Sequence, residues 1–254
     1  MDICVLDPMG TSHSRRNNLD SLGSEPQNKN LNLLQSGEIV SCDLSPTGSN
    51  YTFFVKICSS DGRETSAVYK PRDGEAPLWD FDSGTLYKRE YASYLLSLLL
   101  GWDFIPETVV RDGPYGIGSV QRYVGHDSNS QYRTLSESHI DGLRYIACFD
   151  IIANNADRKA AHCFQDFEGK LWGIDHGLTF NHVPKLRTVI WDFWGQPLPK
   201  DSVKTMEALL GELKNPKGYS KKLVELLHPV EIEAMVQRVG WLVGMKNFPE
   251  IRLR

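Results

Sequence analysis

The order of apolar and polar positions along the chain divides it into three stretches. Residues 1 to about 30 are rich in Ser, Asn, Asp, Gly and Pro with no apolar period, which predicts a disordered tail. From Gly37, short runs rich in β-branched and aromatic residues predict strands at 38–44, 51–58 and 65–70. Turn clusters separate them, at 45–50 and at Ser59-Ser60-Asp61-Gly62, whose Asp-Gly step is a strong hairpin signal. The spacing then lengthens. Leu86, Tyr91, Tyr94, Leu95 and Leu98 predict a helix, with Asp82 or Ser83 as N-cap and Gly101 as its stop. Two further strands follow at 107–111 and 118–124. Beyond them the pattern predicts a helix over 138–154, a polar loop over 154–162 and a strand pair at 163–166 and 171–174. Helices close the chain near 203–213, 220–227 and 230–240. The result is an α+β chain: an antiparallel sheet with one helix over 31–124, and a mainly helical part over 125–254.

Composition narrows the function. A net charge of −4 gives no pointer to nucleic acid or an anionic membrane, both of which favour strongly basic faces. The cysteines Cys4, Cys42, Cys58, Cys148 and Cys163 are odd in number and scattered, which argues against a disulfide framework and for a reducing cytoplasm. The start lacks the basic-then-apolar order of a signal peptide, and the longest apolar run, 95–100, is too short to span a bilayer. Trp79, Trp172, Trp191 and Trp194 read as core or lobe-interface aromatics rather than a stacking platform for bases.

Four positions carry the candidate chemistry. Lys70 ends the third strand, where an ammonium can meet phosphates; an ordinary surface lysine is the bland alternative. Glu90 lies in the middle of the next helix and can hold Lys70, or can be a solvated helix glutamate. Asp157 follows the apolar helix in a polar loop, as a base or acceptor-orienting carboxylate or as a turn residue. Asp175 follows an apolar strand and begins Asp-His-Gly, a place for a Mg²⁺ ligand or for a tight turn. Phosphoryl transfer needs a cation for the phosphates, its holder, an acceptor-orienting group and a metal carboxylate. These four supply them in that order, and the joint order, not any single residue, is the argument. Lys185 and Arg187 could read an anionic acceptor or simply be solvated.

The segments Asn154–Lys159 and 173–180 (Gly-Ile-Asp-His-Gly-Leu-Thr-Phe) resemble the catalytic and metal-binding segments of phosphatidylinositol 3- and 4-kinases, and are similar to those of HipA-type kinases. With Tyr69-Lys70-Pro71, 77–81 (Pro-Leu-Trp-Asp-Phe), Val120-Gln121-Arg122 and 186–189, they resemble most a bacterial family of phosphatidylinositol-kinase-like proteins, over residues 37 to 240. The resemblance implies a two-lobed protein-kinase-like fold with ATP and Mg²⁺ or Mn²⁺ between the lobes. It implies Lys70 on the phosphates, Glu90 as its partner, Asp157 as catalytic Asp and Asp175 as metal ligand. It implies a hinge over Gln121, Arg122, Tyr123 and Val124, and a phosphate-covering turn that contains Ser45, Gly48, Ser49 and Asn50. That turn lacks G-x-G-x-x-G. His162 stands where the better-known relatives carry a metal-binding Asn, and an imidazole prefers softer cations than a carboxamide does. Three functions stay open: a kinase acting on a protein hydroxyl or small polar molecule, a nucleotide-binding pseudokinase, and a related transfer that moves the nucleotide rather than the phosphate.

Overall fold

The computed structural model describes residues 29–250 apart from 47, 49 and 136. The predicted tail lies outside them save for its last two residues, and so does Ser49.

The described residues begin with a helix the apolar pattern does not announce, α1 (Lys29–Ser36), which buries Leu31, Leu33 and Leu34. Arg111 donates to the carbonyls of Leu34 and Gly37 at 3.0 and 2.7 Å, satisfying acceptors that a helix end leaves open. The strands β1 (Glu38–Leu44), β2 (Phe53–Cys58), β3 (Glu64–Pro71), β4 (Thr108–Gly113) and β5 (Gly116–Arg122) form one antiparallel sheet in the order β1-β2-β3-β5-β4. Along β2, Phe53, Val55 and Ile57 point inward and Phe54 and Lys56 outward, the alternation of a sheet with one buried face. On the central pair, Lys70 lies opposite Ser119 and Pro71 opposite Gly118. A Cβ on Gly118 would come within 2.4 Å of the Lys70 carbonyl, so only glycine lets β5 lie this close to the strand that carries Lys70.

The helix α2 (Leu86–Leu100) packs on the inner face of the sheet and ends at Gly101, in the left-handed conformation at φ 68°. It starts later than the sequence predicts. Thr85, not Asp82 or Ser83, precedes the first turn, because Thr85 Oγ1 bonds back to the Asp82 carbonyl and closes a separate turn. Glu75 Oε1 accepts the Tyr87 N–H at 2.9 Å and takes the role of the missing cap.

The C-terminal part holds α3 (Ile140–Ala153), the ribbon β6 (Cys163–Gln165) and β7 (Leu171–Gly173), and α4 (Ser202–Glu212), α5 (Gly218–Leu226) and α6 (Pro229–Met245). The helix α6 runs past the predicted stop at Gly240 and ends at Lys246, at φ 57°. One apolar core joins both parts, from Val55, Tyr69 and Val120 of the sheet through Leu95 and Leu96 of α2 to Phe149 of α3 and Met235 and Val239 of α6. Among the described residues no helix is long and apolar enough to cross a membrane. Trp172 is buried as the sequence reading has it, but Trp79 is not: it is 92% exposed, with Lys185 Nζ 4.7 Å from its ring centre.

Candidate active site

A cleft of about 580 Å³ opens between the sheet and the helical part. Lys70 reaches into it from the end of β3. Its Nζ donates to Glu90 Oε1 at 2.5 Å and to Asp175 Oδ1 at 2.7 Å. Glu90 is committed on both oxygens, since Oε2 accepts the backbone N–H of His176 at 2.9 Å. Burial pushes the Lys70 ammonium down, but the facing Asp175 and Glu90 carboxylates outweigh it and hold the group well above the usual lysine range. The Lys70 ammonium in turn holds Asp175 well below the usual carboxylate range, against the opposing effect of burial.

Asp157 lines the same cleft. The helix α3 ends at Asn154 in the left-handed conformation, φ 51°, where Asn is tolerated. Asn155 Oδ1 then accepts the Asp157 N–H at 3.0 Å, and this Asx turn sets the loop. The Asp157 carboxylate pairs with the exposed Lys159 at 2.7 Å. Asp175 has φ 61°, an uncommon conformation that Asp adopts more readily than most residues. His162 faces it, with Nε2 3.2 Å from Asp175 Oδ2. The other ring nitrogen, Nδ1, accepts the Lys159 N–H at 3.4 Å, so the ring proton resides on Nε2 and is donated to Asp175. Burial lowers the His162 pKa and keeps the ring neutral.

A divalent cation fits one side of this site. Asp175 offers a carboxylate that is 44% exposed to the cleft, the hard oxygen donor Mg²⁺ and Mn²⁺ prefer. His162 can add a nitrogen only after losing the Nε2 proton, which changes the tautomer that the Lys159 N–H now fixes. Among the described residues no three His, Cys, Asp or Glu side chains converge into a metal cage. A cation here needs phosphate or water oxygens to complete its shell.

The expected nucleotide residues mostly line the cleft: Gly48, Asn50, Gln121, Arg122, Tyr123 and Val124 do, while Ser45 does not, its N–H being bonded to the Thr52 carbonyl at 2.7 Å. Asn50 Oδ1 accepts the Ala76 N–H at 2.8 Å and pins the turn to the segment that caps α2. Along the segment expected to be the hinge, the Tyr123 N–H is engaged by the Ser66 carbonyl, and Arg122 pairs with Glu107 at 2.5 Å against Trp172. Val124, Phe164, Trp172 and Ile174 form an apolar wall beside it. Lys185 pairs with Asp80 at 2.9 Å, and Arg187 Nε donates to the Ala156 carbonyl.

Sequence reasoning missed the layer beneath. Asp150 and Arg158 form a fully buried ion pair, with Nε and Nη2 of the arginine within 3.2 Å of the carboxylate. Asn155 Nδ2 also donates to Asp150, at 2.9 Å. Arg158 Nη2 meets His176 Nε2 at 2.8 Å. The available signal was Asp150 itself, a lone carboxylate in the apolar run Ala147-Cys148-Phe149-Asp150-Ile151-Ile152.

No family model matches the chain. It is similar to protein Rv2133c of Mycobacterium tuberculosis, 33% identical over an alignment that covers 85% of this chain and 90% of that protein. Among solved structures it resembles the Golgi casein kinase with Mn and ADP bound, at a TM-score of 0.51 and 18% identity, over 85% of this chain and 74% of that one. It also resembles hydra Fam20 with sugar, at a TM-score of 0.50 and 13% identity, over 85% and 87%. At these identities the likeness shows a kinase-like fold.

Proposed function

The chain belongs to the family of protein Rv2133c of Mycobacterium tuberculosis, and we propose that it is an ATP- and divalent-metal-dependent phosphotransferase of the phosphatidylinositol-kinase-like type. One observation carries the reading: Lys70, Glu90, Asp175 and Asp157, from four separate segments, meet in one cleft, with Lys70 bonded to both Glu90 and Asp175. A protein-kinase-like fold with that set is arranged for phosphoryl transfer, which asks for positioning and charge compensation rather than covalent chemistry. The kinase-like neighbour crystallised with Mn and ADP agrees with the ligand class. The lobes on this reading are 31–124, with α1 added at its start, and 125–254.

Lys70 takes phosphate oxygens and Glu90 keeps its ammonium aimed. The Val124–Phe164–Ile174 wall takes the base, next to hinge backbone. Asp157 orients the acceptor hydroxyl and receives its proton. A divalent cation on Asp175 supplies compensation for the phosphate charge. The acceptor we assign is a protein hydroxyl or a small polar molecule, since the sequence has no polybasic segment of the kind that meets an anionic lipid surface. The free Cys42, Cys58, Cys148 and Cys163 support a cytoplasmic location.

The test is transfer from γ-labelled ATP with Mg²⁺ or Mn²⁺ in a cell extract. Asp157→Ala removes labelling by at least about a hundredfold, while an ATP-induced thermal shift survives. Wild-type protein that neither hydrolyses ATP nor labels any extract component sinks the reading. A nucleotide-binding pseudokinase is the second reading, and the hydrogen bond from His162 Nε2 to Asp175 favours it. It predicts the thermal shift without turnover.

A further inference from the structure

We propose that Arg158 is a positioning residue of the phosphotransfer site, clamping the two residues on either side of Asp175 and so fixing where that carboxylate stands relative to Asp157. The proposal rests on the phosphotransferase reading and adds a residue to it.

The guanidinium reaches three separate parts of the site. Nη1 donates to the Ile174 carbonyl at 3.0 Å, and Nη2 to His176 Nε2 at 2.8 Å. Ile174 and His176 are the neighbours of Asp175. Nη1 also lies 3.4 Å from the carbonyl of His162, the residue facing Asp175. The backbone of Arg158 follows Asp157 directly and is tied on both sides: its N–H bonds the Arg187 carbonyl, and its own carbonyl accepts the Val189 N–H. One rigid side chain thus joins the Asp157 loop to the Asp175 loop.

Three facts set this apart from an ordinary buried ion pair. First, Asp150 already occupies one edge of the guanidinium, and charge balance would be complete with that contact alone. The bonds to Ile174 and His176 are additional, and both fall on the flanks of one residue. Second, that residue sits in the left-handed region at φ 61°, a conformation that persists when its surroundings over-determine it. Third, arginine has only donors, so His176 Nε2 must accept. The His176 proton is therefore on Nδ1, and Nδ1 is buried with no hydrogen-bond partner. Leaving a buried donor unpaired is unfavourable. The ring is held in this tautomer by the contact with Arg158 and has nothing to gain from it elsewhere. Lysine would keep the charge opposite Asp150 but not the fork that spans residues 174 and 176.

The experiment compares wild type with Arg158→Lys, His176→Gln and His176→Leu. Gln keeps an acceptor for Arg158; Leu suits the buried site against Phe149 better but offers none. If His176 only fills space, Leu retains more kcat than Gln. If it acts through Arg158, Gln retains more. Expected for Arg158→Lys is a kcat lower by about ten- to a hundredfold, with KM for ATP within about threefold. The amides of Ile174 and His176, bonded to the His162 carbonyl and to Glu90, should exchange hydrogen at least about tenfold faster in the same variant. Wild-type kcat and wild-type exchange in Arg158→Lys overturn the proposal, as does the order Leu above Gln. Wild-type protein without turnover removes the phosphotransferase reading instead; the exchange rates then decide the clamp alone, faster supporting it and unchanged refuting it. If Arg158→Lys does not fold, the two His176 variants give the same decision by their exchange rates.

Discussion

Lys70 and Arg158 each face a carboxylate at hydrogen-bonding distance, but in different surroundings. Around Lys70 the side-chain exposures are 28% for the lysine and 44% for Asp175; around Arg158 they are zero for both arginine and Asp150. An ion pair open to a cleft can exchange partners with an incoming ligand at modest cost. One sealed in the interior cannot, because separating it leaves a charge without water. The cleft pair is therefore suited to binding and the interior pair to holding geometry, although the two clusters meet at adjacent residues, Asp175 and His176.

Removing one partner breaks the comparison most forcefully. Asp150→Ala strands the Arg158 charge and should cost about 3–5 kcal/mol of unfolding free energy, measured by urea denaturation. A loss below about 1 kcal/mol would put the interior pair in the same class as an exposed one. Lys70→Met should show the reverse balance. Turnover falls by about a hundred- to a thousandfold, while the unfolding midpoint moves much less than in Asp150→Ala.

Acid separates the clusters by their order of failure. Burial, and then the Arg158 charge, hold His176 well below its ordinary 6.5. The unfolded chain takes up a proton there and the native one does not. This contribution is thus complete above about pH 6.5 and is lost as pH falls, at a limiting slope of about 1.4 kcal/mol per unit. Asp175 has a depressed carboxylate pKa, so its contribution is present above its ordinary 3.8 and disappears only below it. Between pH 6.5 and 4 the interior weakens while the Asp175 contribution persists. His176→Gln should flatten stability over that interval in part, with His162, also depressed, supplying the remaining slope. The smallest effect belongs to Lys159→Ala. Its pair with Asp157 is 62% exposed on the lysine side, and removal should shift stability by less than about 0.5 kcal/mol, in the same urea titration.

The cleft cluster was legible in the sequence because its members stand where elements end or face inward: Lys70 closes a β-branched run, Glu90 sits on a clear helical period, and Asp175 follows an apolar strand. The succession of strands along the chain was legible for the same reason, with turn chemistry marking the boundaries, whereas the pairing of β3 with β5 was not. What escaped the sequence reading was decided by tertiary contact. The helix α1 is a short, polar segment whose three leucines gain meaning only against the sheet. Helix α6 passes Gly240 because glycine's weak helix propensity yields to the packing of Val239 and Leu242. Trp79 looks like core material by composition, yet its loop turns outward. Asp150 and Arg158, eight positions apart, read as a polar interruption and a basic loop residue until the fold closes over both.

The bonds of Lys70 to two carboxylates have a thermodynamic consequence. Asp175 acts as an internal competitor for the ammonium. On the phosphotransferase reading, a nucleotide arriving alone would have to displace that carboxylate from Lys70, and a cation arriving alone would have to displace Lys70 from the carboxylate. Arriving together, they exchange one ion pair for two. Each then raises the affinity of the other, and by the same factor in either direction, because the coupling belongs to the shared pair and not to either ligand.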